Sequence, residues 1–284
     1  MNNILVRFSI IVLILSNLSF QWPVKDGIIT STFGESRSDH FHDGTDMVSP
    51  SDNVYPVASG TLLYAWSRTL FPLENYWGGG NYKVISHSDG FISIYMHLQD
   101  VEDLKPDYSE SDIIGLIGNT GRSYGKHIHF SILNPEKRES INPLKALPAY
   151  SDNKAPEIMD FYIRIDDRYI RLRDKSDIRL TQHYPLLIEI RDTIKGNERL
   201  GLYNFKASLN GKEIADYTFD KIDYSTDGLL VKNKIFLDVF DEKGYYKIKD
   251  IVYKEGLNNF LITASDFNGN KSEKEFTINV RLDM

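Results

Sequence analysis

Three histidines and one carboxylate stand at spacings that suit a metal centre. His127 and His129 are two residues apart, and on an extended strand this spacing puts both imidazoles on one face. Far upstream, His42 is followed four residues later by Asp46, and Gly44 between them lets the backbone fold tightly round a common centre. Three nitrogen or oxygen ligands with one open position describe a catalytic zinc site.

The elements that must position these residues are predicted to be strands. Short apolar or alternating runs, separated by Gly, Asn, Asp and Pro, occur in the first half at 55–58, 61–66, 82–87, 91–97, 113–117 and 127–133. Similar runs follow at 161–165, 168–172, 185–190, 205–209, 234–239, 259–264 and 275–280. The pattern predicts an all-β chain whose second half is an antiparallel β-sandwich.

One further histidine is predicted to face a groove. In the run 91–97, Phe91, Ser93, Tyr95 and His97 share one strand face, which is the more polar of the two. This alternation predicts that His97 lines a groove. The dipeptide Asp89-Gly90 just before the run marks a hairpin turn.

Composition narrows the chemistry and the partners. The chain has 284 residues, enough for roughly two domains, and the small polar segment 149–156 is a plausible linker. It has no cysteine, which excludes disulfides and cysteine-ligated zinc, so any metal must be held by histidine and carboxylate. The net charge of −7 argues against nucleic acid as a partner.

The N-terminus is typical of an export signal. A single positive charge precedes a largely apolar run that is short for a membrane span, and the cleavage site is poorly marked. We therefore expect residues 1–20 to be a signal peptide or an uncleaved membrane anchor, with domains at 21–150 and 151–284 after it.

Several motifs of the first half occur together in the order found in one family. Besides the histidine motifs, they are the segments 29–34, 56–60, 95–98 and 118–130. With these motifs the region from about residue 27 to residue 144 resembles the lysostaphin and LytM type zinc metallopeptidases, which cut peptide cross-links in bacterial cell walls. The resemblance implies an antiparallel β-sheet peptidase domain.

The resemblance also implies a role for each residue of the site. It gives His42, Asp46 and His129 as ligands of one zinc ion per chain, with His127 and His97 as catalytic histidines that do not bind the metal. His127 would act as a general base, and His97 would stabilise the oxyanion. The implied protein is an exported endopeptidase of the periplasm or cell envelope that hydrolyses peptide bonds of peptidoglycan cross-links or stem peptides.

Three alternatives stay open on the residues alone. His40 competes with His42, because His40 and His42 also share a strand face. The chain could be a non-catalytic wall-binding or hydrolase-activating protein of the same fold, or a peptidase acting on other peptides. The end of the second half, around Asp266 to Asn270, weakly resembles an immunoglobulin-like module, whose role would be wall binding, positioning or spacing.

Overall fold

The computed structural model describes residues 20–75, 78–101, 103–194 and 200–283. The predicted signal or anchor, residues 1–20, lies outside the described residues except for its last position. Within the described part of the chain, no helix is long and apolar enough to cross a membrane. Strands dominate the regular structure there, and the predicted all-β class is confirmed.

The N-terminal half, residues 20–150, is built from short strands and one helical turn. They are β1 (Ile28–Ser31), β2 (Thr45–Val48), β3 (Asn53–Val54), β4 (Gly60–Trp66), β5 (Asn81–Ser86), β6 (Ile92–Leu98), β7 (Asp107–Tyr108), β8 (Gly115–Leu116), β9 (Ile128–Asn134), β10 (Glu139–Ile141) and α1 (Pro143–Ala146). The predicted strand at 55–58 is absent, because the segment continues from β3 as a loop and buries Val57 in the core.

The C-terminal half, residues 151–283, is also made of strands. They are β11 (Glu157–Ile165), β12 (Arg168–Leu172), β13 (Ser176–Leu180), β14 (Leu186–Arg191), β15 (Asn204–Leu209), β16 (Lys212–Thr218), β17 (Lys221–Ser225), β18 (Gly228–Val231), β19 (Lys234–Ile235), α2 (Phe236–Val239), β20 (Tyr246–Ile248), β21 (Gly256–Ser265) and β22 (Lys271–Leu282). The predicted strand at 234–239 is therefore wrong after its first two residues. Phe236 and Val239 are both buried, which one helical turn allows and strand alternation does not.

The two halves share one sheet. Among the described strands its order is β19-β18-β17-β10-β9-β6-β5-β4-β7, with β2 also paired to β9 and β1 paired to β2. The join is the antiparallel ladder between β10 and β17, in which Glu139 lies opposite Asp223 and Ile141 opposite Lys221. Backbone hydrogen bonds therefore tie the peptide chain of one half to that of the other.

The other two large sheets belong to the C-terminal half and face each other. Their orders are β12-β11-β14-β20 and β13-β22-β21-β15-β16, and Phe161 of the first stacks on Phe276 of the second at 4.1 Å between ring centroids. Two packed sheets agree with a sandwich. One pairing departs from the antiparallel expectation, because β13 runs parallel to β22, with Ser176 opposite Ile278.

Strand β9 is the element that organises the site. It pairs with β2 on one side and β6 on the other, so His129 lies opposite both Asp46 and Met96. The next residue of β9, Phe130, faces the other way and packs against Tyr95 in the core, with 5.3 Å between ring centroids. Alternation along β9 thus puts an apolar core on one face and a polar group on the other.

A cluster of three carboxylates lies where the linker meets the C-terminal half. Asp192 and Asp266 are buried, and the half-buried Asp152 lies beside them. Burial, followed by the negative charges of Asp266 and Asp152, raises the pKa of Asp192 to about 7. The folded protein therefore favours the protonated form of Asp192.

This shift predicts a loss of stability as the pH rises. Asp192 stabilises the fold fully below its unfolded pKa, near 4, and that contribution disappears as the pH rises through about 7. Between pH 5 and pH 8 the free energy of unfolding should fall by about 2–3 kcal/mol more in the unaltered protein than in Asp192→Asn. Urea denaturation at both pH values measures this free energy, with the exposed Asp167→Asn variant as control. An equal change in the free energy of unfolding between the two pH values in all three proteins would contradict the prediction.

Candidate metal centre

Three donor atoms from distant parts of the chain converge at the polar face of β9. His42 Nε2 lies 3.0 Å from Asp46 Oδ1 and 3.0 Å from His129 Nδ1, and His129 Nδ1 lies 2.9 Å from Asp46 Oδ1. All three side chains are buried. The structure thus brings together the three residues that the resemblance implies as ligands.

Local geometry at Gly44 makes this convergence possible. A Cβ atom there would lie 2.6 Å from His129 Nε2 and 2.6 Å from the Phe130 carbonyl oxygen, which is closer than any side chain tolerates. The chain between His42 and Asp46 can therefore pass against β9 only with glycine at this position. This close approach agrees with the prediction that Gly44 lets the backbone fold tightly round a common centre.

Outer hydrogen bonds orient both imidazoles. His42 Nδ1 lies 2.8 Å from the Thr32 carbonyl oxygen, which can only accept, so Nδ1 carries the proton and Nε2 presents its lone pair to the centre. His129 Nε2 lies 3.0 Å from Ser131 Oγ and 3.5 Å from Asp43 Oδ1. Partners of this kind set the tautomer and ring orientation of metal-binding histidines.

The electrostatics of the cluster favour a positive charge at its centre. Burial acts to raise the pKa of Asp46, but the charges and hydrogen bonds of His42 and His129 outweigh it and hold that pKa well below its usual range. Burial acts to lower the pKa of His129, but hydrogen bonds to Asp43 and Asp46 outweigh it and raise the pKa to about 9. Both directions are those expected of a cation-binding cluster.

These donors fit zinc. Tetrahedral zinc with bonds of ~2.0–2.1 Å to nitrogen and oxygen places neighbouring ligand atoms ~3.3 Å apart, close to the separations observed. Arg37 Nη2 donates to the other carboxylate oxygen, Asp46 Oδ2, and to Ser31 Oγ at 2.7 Å. This leaves Oδ1 of Asp46 facing the two imidazoles as a single ligand atom.

Two further histidines face the same centre. His127 Nδ1 lies 2.8 Å from the Gly125 carbonyl oxygen, and His97 Nδ1 lies 2.8 Å from the Thr120 carbonyl oxygen. Both rings therefore carry the proton on Nδ1 and turn the Nε2 lone pair inward. The rings are 4.8 Å apart between centroids, and His127 Nε2 is 3.8 Å from Asp46 Oδ1.

His97 reaches the groove for a different reason from the predicted one. Tyr95, on the strand face assigned to His97 by alternation, is fully buried in the core. His97 has a φ of 61°, in the left-handed region that non-glycine residues rarely adopt. The predicted polar face is therefore wrong, and the break in alternation at the end of β6 turns His97 towards His127.

The structure separates His40 from the cluster. His40 lines the outer groove but is half exposed, and its Nδ1 lies 2.5 Å from Asp39 Oδ1. Sequence reasoning missed Arg37 and Asp43, which contact the cluster directly. Asp43 could have been noticed beside His42, but nothing in the sequence around Arg37 indicates its partner.

The structure is that of an all-β protein with a buried cluster of two histidines and one aspartate. Sequence comparison identifies the family that part of the chain matches. Residues 40–143 match the sequence model of Peptidase family M23, and a separate family model matches residues 155–281. Residues 40–143 are therefore identified as a Peptidase family M23 domain. The resemblance to lysostaphin and LytM type peptidases is confirmed.

Two named relatives each match less than half of the chain. The chain is 31% identical over 123 residues to peptidoglycan DD-endopeptidase ShyA of Vibrio cholerae, covering 42% of this chain and 26% of ShyA. It is 29% identical over 136 residues to murein hydrolase activator NlpD of Escherichia coli, covering 46% and 31%. The chain thus spans about a quarter to a third of the length of these relatives.

A solved structure, a zinc-containing peptidase from Vibrio cholerae, is 30% identical to the chain. The match covers 46% of this chain and 41% of that one, with a TM-score of 0.38.

The cluster predicts which substitutions remove the metal. Replacing His42, Asp46 or His129 by alanine should weaken zinc binding by more than the roughly 10- to 100-fold lost with an outer partner, because one of three ligands disappears. Competition with a chromogenic chelator measures the affinity. His40→Ala is the matched control and should bind zinc as the unaltered protein does; equal loss in that variant would contradict the ligand assignment.

Proposed function

We propose that this protein is an exported zinc metalloendopeptidase that hydrolyses peptide bonds of peptidoglycan cross-links or stem peptides. The observation that carries the proposal is the convergence of three donor atoms within 3.0 Å of one another, beside two histidines whose free nitrogens face the same point. Membership of family M23 and relatives named as peptidoglycan endopeptidases support the substrate class.

His42, Asp46 and His129 would hold zinc, which when bound lowers the pKa of a water molecule and polarises a carbonyl group. The remaining chemistry belongs to the chain. His127 is our general base, because its Nδ1–H is engaged by Gly125 and its Nε2 lone pair is turned inward. It would take a proton from the attacking water and pass it to the leaving amine.

His97 would stabilise the oxyanion, and its geometry adds a condition. Burial lowers the pKa of His97 to about 4, so the resting ring is neutral at pH 7. Because Nδ1–H donates to the Thr120 carbonyl, the inner Nε2 of the neutral ring can only accept. His97 would therefore donate to the oxyanion only as an imidazolium, with the extra proton taken from bulk solvent, and the negative charge developing beside it would raise its affinity for that proton.

An open groove of about 1190 Å³ surrounds the cluster. It is lined by residues from β1, β2, β6, the glycine turn before β5 and the loop before β9, including Gly79, Met96 and Arg122. Both acidic and basic side chains line it, which suits stem peptides carrying free carboxylates and amines. Export would place the chain beside this substrate in the periplasm or envelope.

His127→Ala separates chemistry from metal binding. The variant should keep its zinc and lose turnover by ~10² to 10⁴, the usual contribution of a general base. Metal analysis and mass spectrometry of muropeptides released from purified peptidoglycan measure the two properties, with His183→Ala of the C-terminal half as control. A His127→Ala protein that lacks zinc would overturn the assignment of His127 as base.

The same assay tests the alternative of a non-catalytic activator, the role named for NlpD. If the unaltered protein binds zinc but releases no muropeptides, with or without a chelator, the endopeptidase proposal is overturned. Release that stops on chelation and returns with added zinc supports it. Parallel incubation with unrelated peptides separates a wall enzyme from a general peptidase.

A further inference from the structure

The outer partners of the metal cluster lead directly into the C-terminal half. Two of the three ligands, His42 and His129, depend on groups whose own neighbours come from residues 201–240. These contacts lie beyond residues 40–143, the part of the chain that matches family M23. They form two separate connections, one for each histidine.

The connection to His42 runs through Thr32 and Glu35. Thr32 supplies the carbonyl oxygen that orients His42, and its side-chain hydroxyl donates to Glu35 Oε1 at 2.7 Å. The backbone N–H of Gly201 donates to both groups, at 2.8 Å to Thr32 Oγ1 and 3.0 Å to Glu35 Oε1. Gly201 thus holds the segment that fixes the tautomer of His42.

Aromatic packing reinforces this connection. Phe41, the residue before His42, is fully buried among side chains of the C-terminal half, with ring centroids 5.4 Å from Phe236 and 6.0 Å from Phe240. At Gly34, whose φ is +81°, a Cβ atom would lie 2.4 Å from the Phe219 ring. The loop that leads into His42 is therefore clamped against the other half.

The connection to His129 runs through Asp43. Asp43 lies beside His129, with 3.5 Å between Asp43 Oδ1 and His129 Nε2. Burial raises the pKa of Tyr224, and the nearby negative charge of Asp43 raises it further. Tyr224 belongs to β17, the strand that extends the shared sheet, and its hydroxyl also lies 2.5 Å from Ser140 Oγ.

We propose that the C-terminal half is a structural part of the metal centre, in which Gly201 and Tyr224 are positioning residues for His42 and His129. The proposal rests on the zinc site of the proposed function. It assigns to this half a role in metal affinity, exerted through the two outer hydrogen-bond connections rather than through contact with the metal or the substrate.

Two substitutions in the C-terminal half test the connections separately. Tyr224→Phe removes the hydroxyl beside Asp43 but keeps the ring. Gly201→Ala adds a Cβ that would lie 2.7 Å from Glu35 Cγ and 3.1 Å from Thr32 Oγ1, which displaces the Glu35 contact. Each should weaken zinc binding by up to about 10-fold, the lower end of the loss seen when a direct outer partner is removed, because each acts through such a partner.

Two controls match these changes. Tyr169→Phe removes another tyrosine hydroxyl of the same half that donates to a carboxylate, Asp241 Oδ2 at 2.7 Å, away from the cluster. Ser140→Ala removes the other partner of Tyr224 and leaves Asp43 in place. Both should bind zinc within about threefold of the unaltered protein, because neither substitution removes a group that contacts Thr32, Glu35 or Asp43.

The measurements use the full chain and zinc itself. Chelator competition gives the zinc affinity, the absorption spectrum of the Co²⁺-loaded protein reports the ligand geometry, and thermal unfolding of the metal-free protein reports the fold. Lower affinity and an altered Co²⁺ spectrum in Tyr224→Phe and Gly201→Ala, with unchanged metal-free unfolding, support the proposal.

Unchanged zinc affinity in both variants would overturn it. A loss that is matched by Ser140→Ala, or that follows a parallel loss of metal-free stability, would also overturn it, because the effect would then be general. If the unaltered protein binds no zinc, the proposed function itself fails; if it binds zinc and both variants bind it equally well, only this inference fails.

Discussion

Everything in this protein depends on holding three buried donor atoms within 3.0 Å of one another. Two imidazole nitrogens and a carboxylate oxygen at this distance attract a cation strongly, and each must be fixed from behind. The Thr32 carbonyl oxygen fixes His42, the Arg37 guanidinium fixes Asp46, and Ser131 with Asp43 fixes His129. The fold supplies each support from a different segment.

Strand β9 positions the segments that carry these donor atoms. Because β2 and β6 flank it, one strand carries His129 and sets the register of the segments that carry Asp46 and His97. Regular alternation is sufficient for His129. It fails for His97, whose positive φ turns the ring from the core side into the groove. Unusual backbone conformations of this kind cluster at functional sites, where the surrounding structure must hold them in place.

The two halves of the chain are more closely joined than a catalytic domain with a tethered module would be. They share a sheet through β10 and β17, and Phe33 and Phe41 of the first half belong to the core of the second. One side of the loop leading to His42 thus packs into the core of the C-terminal half, and its other side lines the groove. Burial of large aromatic rings gives this junction its rigidity.

The sequence alone indicated the all-β class and the resemblance to lysostaphin and LytM type peptidases, and through that resemblance His42, Asp46 and His129, because strand patterning and histidine motifs are local. It also indicated the tight passage at Gly44. Only the tertiary structure decided how His97 enters the groove, that β13 runs parallel to β22, and that Tyr224 lies beside Asp43. These features depend on contacts between residues far apart in the chain, and such contacts cannot be deduced from residue type or spacing.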